Sequence, residues 1–231
     1  MSKINLLDHG FIRLVDSMGG DLSIVRSARV SHNAEWRSGE DAGKDEKLIG
    51  YLMNNRHTTP FEAVHFTFEI KCPIFVVRQW HRHRTWSYNE VSARYTELPE
   101  EFYIPEAHVI GAQSSSNKQA RVFVPKEELS PDDEWDANLI RQTMQEQNES
   151  AFRAYKDFLA LGVPRELARS VLPVGTYTHF FGSVNLHNLF HFLRLRLHSH
   201  AQYEIRVYAE AILELIEPIA PVAVAAFKET L

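Results

Sequence analysis

The chain has 231 residues, 44% of them hydrophobic and 24% charged, which suits one globular domain, or one domain with an insertion, burying a substantial core. With 30 acids against 25 Lys and Arg, a net charge of −5, generic nucleic-acid binding is disfavoured, and no apolar run approaches the roughly 20 residues that cross a bilayer. The single cysteine excludes an internal disulfide and suits a reducing compartment, while Met1–Asn5 carries no secretion signal, so a cytoplasmic protein is expected.

The opening predicts a strand over Phe11–Asp16, a turn at Gly19-Gly20, and a helix from Asp21 as N-cap to about Val30. Polar, Gly-punctuated residues 33–47 read as a loop, and Lys47–Arg56 has helical spacing at Leu48, Tyr51 and Leu52. His65–Lys71 alternates as a strand. Pro73 then opens a helix, where its missing N–H costs nothing, carrying Phe75, Val76, Gln79 and Trp80. Residues 112–134, with Ser114–Asn117 and Pro131–Glu134, read as a surface excursion. A long helix is expected over Asp136–Leu161, stopped by Gly162. Further helices follow over Arg165–Leu172, Asn185–Leu197 and Ala201–Ile216, with a strand at Thr176–Phe181; Pro218 and Pro221 bend or restart the last segment. The fold class is α+β: a small, mostly antiparallel sheet packed with several helices in a single domain spanning 1–231.

The most informative stretch is Arg82 to Arg94. Three arginines, a histidine, a glutamate and two serines share thirteen positions, and Arg78 lies one helical turn upstream. A solvated face usually alternates Lys with Glu, whereas this run has no Lys and one acid. Guanidinium forks match phosphate and carboxylate bidentately, and Ser and Asn fix orientation. An anionic ligand is therefore expected.

The helix from Asn185 has a core stripe of Leu186, Leu189, Phe190, Leu193 and Leu197 and a polar stripe of His187, His191, Arg194 and His198. Arg196 falls about half a turn away, using ~100° per residue, and with Arg169 it suggests a second part of an anion site. No Rossmann or P-loop pattern is present, and the zinc-protease Glu is replaced by Asn188. Cys72 reads as structural. Taken alone, these residues leave open a metal-dependent phosphohydrolase, or a nucleotide- or RNA-binding module with Trp80 or Trp86 stacking a base.

The run Arg82-His83-Arg84 through Ser87, Asn89, Glu90, Ser92 and Arg94 resembles the signature R-H-R-x-x-S-x-N-E-x-S-x-R of flavin-dependent thymidylate synthases, matching every fixed position. His57-Thr58-Thr59-Pro60-Phe61-Glu62, Gly162-Val163-Pro164-Arg165, and Arg196 with Ser199 to Ile205 agree, so the similarity covers most of the chain. The resemblance implies synthesis of dTMP from dUMP. Methylenetetrahydrofolate supplies the methylene, reduced FAD the hydride, and NADPH reduces the flavin, in a homotetramer with shared sites. It implies no metal, nucleic-acid or membrane partner. By motif position, Gln79, Trp80, His81, Arg82, Glu90, Val91, Ser92, Ala93, Arg94, Arg169 and Arg196 are expected to contact dUMP. His57, Thr59, Arg82, His83, Arg84, Thr85, Glu90, Asn185, Leu186, His187 and His191 are expected at FAD, although some relatives carry Arg and Asn at the positions of His187 and His191. Arg94 and Arg169 are expected to neutralise the nucleotide phosphate. Arg196 is the candidate catalytic residue, stabilising the uracil ring ionised at N3, with no cysteine adduct. The helix projection sends His187 and His191 one way and Arg196 nearly the other, so that one helix is expected to serve two neighbouring sites.

Overall fold

A computed structural model describes residues 3–231; Met1 and Ser2, where the reading of the N-terminus begins, lie outside them. Five antiparallel strands form the main sheet in the order β1-β2-β3-β7-β4. They are β1 (Lys3–Leu6), β2 (Gly10–Met18), β3 (His65–Pro73), β4 (Ser87–Glu90) and β7 (Tyr177–Asn185). The helices that follow the opening strands are α1 (Asp21–Arg29), α2 (Ala42–Asn54) and α3 (Ile74–Trp80). After β4 come α4 (Ala107–Ile110) and a two-stranded ribbon of β5 (Ala112–Gln113) and β6 (Arg121–Val122). The rest is α5 (Pro131–Ala160), α6 (Arg165–Ala168), α7 (Leu186–Arg196), α8 (Tyr203–Ile216) and α9 (Pro221–Lys228). This is the α+β architecture expected from the sequence.

Alternation along β3 explains the layering. Phe66, Phe68, Ile70 and Cys72 face inward and are fully buried or nearly so, while Thr67, Glu69 and Lys71 face the other way. Helices cover the apolar face, and Trp80 sits at its centre. Its indole stacks on Phe192 at 4.9 Å and meets Trp86, Phe180 and Tyr208 edge-on. A second, smaller cluster of Phe102, Phe152, Tyr155 and Ala168 fastens α5 to α6.

Several boundaries differ from the sequence reading. β1 pairs with β2, Lys3 opposite Arg13, and has no counterpart in that reading. Gly20, not Asp21, is the N-cap of α1; the Asp21 carboxylate instead accepts from Val222 and Ala223 N–H at 2.9 and 3.0 Å, capping α9 across the chain. The supposed loop 33–47 contains the start of α2. Asp41 caps it, and Asp45 is buried against Arg29 at 2.6 Å. Helix α5 starts at Pro131 because Ser130 and Asp133 cap each other's backbone N–H groups, five residues before the expected helix start at Asp136.

Candidate active site

Helix α3 runs directly off β3 and delivers Gln79 and Trp80 to the first arginine. The chain then turns through His81–Thr85 into β4, which pairs with β7, Ser87 opposite Ser183 and Glu90 opposite Phe180. The hydroxyl of Tyr88 reaches the carbonyls of Trp80 at 3.0 Å and His83 at 2.9 Å, clamping the turn. Trp86 lies on β7 where Gly182 has no side chain; a β-carbon there would meet the indole at 3.1 Å. The most cationic segment of the chain is thus held by core packing at both of its sides.

His83 is the pivot. It is 5% exposed, packs on Phe192 at 4.8 Å and lies 5.9 Å from the ring of His191. Arg196 donates from Nε to His83 Nε2 at 3.0 Å. A guanidinium only donates, so His83 is neutral and carries its proton on Nδ1. Burial, reinforced by the charge of Arg196 and by His191, pushes its pKa down to about 4. Nδ1 is buried with no partner among the described residues, a donor awaiting an acceptor. Arg196 also donates to Gln79, at 3.1 Å to its carbonyl and 3.4 Å to Oε1. Burial lowers its pKa, but a guanidinium stays charged over any physiological range. His191 and Arg196 therefore both approach His83, a correction to the helix projection for His191, while His187 lines a neighbouring cavity.

The other end of the motif is organised separately. Glu90 accepts from the Thr178 hydroxyl at 2.6 Å, and the Val91 N–H bonds the His179 carbonyl at 2.8 Å. Ser92 Oγ accepts from the Arg94 N–H at 3.3 Å, and Ala93 is buried. Arg94 pairs with Glu166 at 3.1 Å, bringing it to α6, immediately before the exposed Arg169. Strand β4 keeps Ser92 and Arg94 roughly 10 Å from the turn, at about 3.3 Å per residue. What reads in sequence as one cationic cluster is two groups of arginines joined by a strand. Arg82 and Arg84 are exposed and have no carboxylate partner among the described residues.

A cavity of about 540 Å³ opens beside the turn, lined by His57, Thr58, His187 and His191. A neighbouring one of about 670 Å³ shares His57 and adds Thr59. Arg56 lines both, and it was missed although it directly precedes His57. It adopts φ 56°, a left-handed conformation that disfavours side chains. Arg194 also lines the first cavity but is tied to Thr230 by two bonds of 2.8 Å. Burial corrects two of the expected side-chain contacts. Trp80 and Leu186 are 0% exposed, so neither side chain touches a ligand here. Asn185 Oδ1 caps α7, accepting from Asn188 N–H at 2.9 Å. Trp86 is buried too, which removes both candidates for base stacking. Among the described residues, no cluster of three His, Cys, Asp or Glu is placed to hold a metal. Cys72 is fully buried, and burial raises its thiol pKa well above the ordinary value.

The family model for "Thymidylate synthase complementing protein" matches residues 13–222. A flavin-dependent thymidylate synthase of Treponema denticola is 48% identical over 226 residues, covering 98% of this chain and 82% of that protein. The chain belongs to this family. A Thermus thermophilus flavin-dependent thymidylate synthase is 50% identical over 230 residues, covering 99% of this chain and 79% of that one. The crystal structure of the UMP/dUMP methylase PolB from Streptomyces cacaoi, bound with 5-Br dUMP, superposes with a TM-score of 0.85 at 38% identity, covering 98% and 97% of the two chains. For a flavin-dependent thymidylate synthase the residues present fit a flavin. The partnerless Nδ1–H of buried His83 suits an acceptor, and unpaired Arg82 and Arg84 beside it suit a phosphate.

Proposed function

We propose that this chain converts dUMP to dTMP, joining a methylene from 5,10-methylenetetrahydrofolate to uracil C5. Bound FAD, reduced by NADPH, supplies the hydride. Because the hydride comes from outside the folate, the pterin leaves as tetrahydrofolate and the electron count closes. The observation that carries this reading is the group formed by half-buried Arg196 and Gln79 with buried, neutral His83. Arg196 is held as a fixed cation whose neighbours are neutral, so its charge is available to negative charge developing on a pyrimidine ionised at N3. No accessible thiol competes for that task, since Cys72 is sealed in the core.

The remaining contacts divide along the geometry. Arg94, Arg169 and Ser92 take the nucleotide phosphate, and Gln79, His81, Glu90, Val91 and Ala93 its sugar and base, the last through its backbone. Arg82 to Thr85, with His57, Thr59, His187 and His191, hold the flavin nucleotide; His187 and His191 donate hydrogen bonds and coordinate no metal. Asn185 and Leu186 contribute backbone only. Separation of the two anion-facing groups by β4 supports sites completed by neighbouring copies, in a homotetramer. The whole chain, 1–231, serves as one domain. Among the described residues no helix is long and apolar enough to cross a membrane; we place the enzyme in the cytoplasm.

The test is direct. The purified protein absorbs in the flavin bands, NADPH bleaches it, and tritium is released from C5-labelled deoxyuridylate only when methylenetetrahydrofolate is present. A colourless protein, or one that releases no tritium, refutes the reading. Flavin occupancy that falls on dilution, together with a tetramer by sedimentation, supports the shared site.

A further inference from the structure

Arg196 is the end of a longer chain of polar side chains. Its Nη1 donates to Gln79 Oε1 at 3.4 Å. The Nε2 of Gln79 donates to Gln202 Oε1, and the Nε2 of Gln202 donates to Glu204 Oε2 at 2.8 Å. Glu204 is 1% exposed. Its other oxygen accepts from the Tyr103 hydroxyl at 3.1 Å and from Arg121 Nη2. Arg121 belongs to β6, inside the surface excursion.

The two ends of this chain have fixed polarity. A carboxylate only accepts and a guanidinium only donates, whereas each amide has one accepting and one donating end. Only one head-to-tail arrangement of Gln79 and Gln202 satisfies all three links. Turning either amide sets donor against donor or acceptor against acceptor, which a half-buried chain anchored on a buried carboxylate tolerates poorly. The charge on Glu204 therefore dictates which end of Gln79 faces Arg196. Arg121 in turn compensates that buried carboxylate, which would be costly unpaired.

We propose that Glu204, with Arg121 as its counter-charge, is a positioning residue: through Gln202 and Gln79 it sets the direction in which Arg196 meets the pyrimidine. This rests on the nucleotide reading given above. It also gives the ribbon of β5 and β6 a task, delivering the cation that keeps the chain polarised.

Glu204→Gln is nearly isosteric and makes a sharp prediction. Arg121 and Tyr103 pin the new Oε1, so Nε2 faces Gln202, both amides reverse, and the Gln79 NH₂ is turned against Arg196. Combining Gln202→Glu with Glu204→Gln moves the obligate acceptor one step along and restores the original orientation of Gln79. Flavin-loaded enzyme is titrated with dUMP, read by perturbation of the flavin spectrum, and KM for dUMP is compared with kcat. The single variant is expected to bind dUMP about tenfold more weakly with flavin content unchanged, and the swapped pair to return within twofold of the parent. Tyr103→Phe, which removes a bond outside the chain, is expected to leave affinity within twofold. Parent-like affinity in Glu204→Gln, or no recovery in the swapped pair, overturns the proposal. If Glu204→Gln does not fold, Gln202→Met cuts the chain at a half-buried position and is expected to weaken binding at least threefold; no change overturns the proposal. A parent enzyme that binds no dUMP overturns the nucleotide reading and this inference together, whereas binding that is indifferent to these variants overturns the inference alone.

Discussion

Arg196 donates through Nε to the Nε2 of His83 across 3.0 Å, which fixes the histidine's tautomer and the guanidinium's plane in one contact. Lysine at this position keeps the charge but offers a flexible ammonium in place of the planar fork. In Arg196→Lys, methylation is expected to fall at least about a hundredfold, the scale for losing one aligned electrostatic donor, while flavin absorbance is retained. Steady-state tritium release measures it; turnover within twofold of the parent removes the assigned role.

Burial of His83, with the charge of Arg196 against it, also makes stability depend on pH. His83 titrates near 4 in the folded protein against an ordinary 6.5, so the unfolded chain takes up its proton first. Stability then rises with pH across that window and is lost on acidification. Between pH 7 and pH 5 the cost is about 2 kcal/mol. Urea midpoints at the two pH values show it, and His83→Gln should lose that share of the acid sensitivity. An unaltered pH dependence in the variant contradicts the assignment.

Arg56 holds a left-handed φ of 56° at the end of α2, where glycine is the usual occupant. Arg56→Gly should relieve about 1 kcal/mol of backbone strain and raise the melting temperature. It also removes a cation from the cavity walls, so flavin is expected to elute from the variant during gel filtration. Flavin retained at the parent's occupancy would argue that Arg56 has no part in binding.

Gly182 is required by contact, not by its dihedral angles. Its absent β-carbon leaves room for the Trp86 ring, 3.1 Å from where that carbon would sit. Gly182→Ala is expected to cost about 1–3 kcal/mol, as overpacking does, and to change the near-ultraviolet tryptophan signal. An unchanged melting temperature would mean that the indole moves aside freely.

Cys72 tests the absence of a thiol nucleophile. Cys72→Ala removes a fully buried sulfur and should destabilise by about 1 kcal/mol, with tritium release preserved. Abolished turnover in a folded, flavin-loaded variant would show that the thiol takes part.

Much of the fold was legible because local rules agreed with one another. The alternation of β3, Pro73 at the head of α3 and Gly162 after α5 each act over a few residues, and the structure follows them. The misreadings share a cause. Ser130-Pro131-Asp132-Asp133 reads as loop in sequence because its polar residues mask a capping pair, and Asp21 reads as the cap of its own helix although its carboxylate caps α9, some two hundred positions away. β4 escaped notice because Ser87–Glu90 alternates no apolar residues; its strand character comes from pairing with β7.

The sequence by itself established the family, through the run from Arg82 to Arg94, and with it the class of ligand that so many clustered guanidiniums attract. Charge and residue type are properties of each position and survive without coordinates. Only the tertiary structure decided which of those cations act together. It split the run across β4, buried Trp80 and Leu186 out of reach, and drew Arg196, His83, Gln79 and Glu204 into one polarised chain. Such arrangements depend on contacts between residues far apart in sequence, and no local pattern encodes which donor will meet which acceptor.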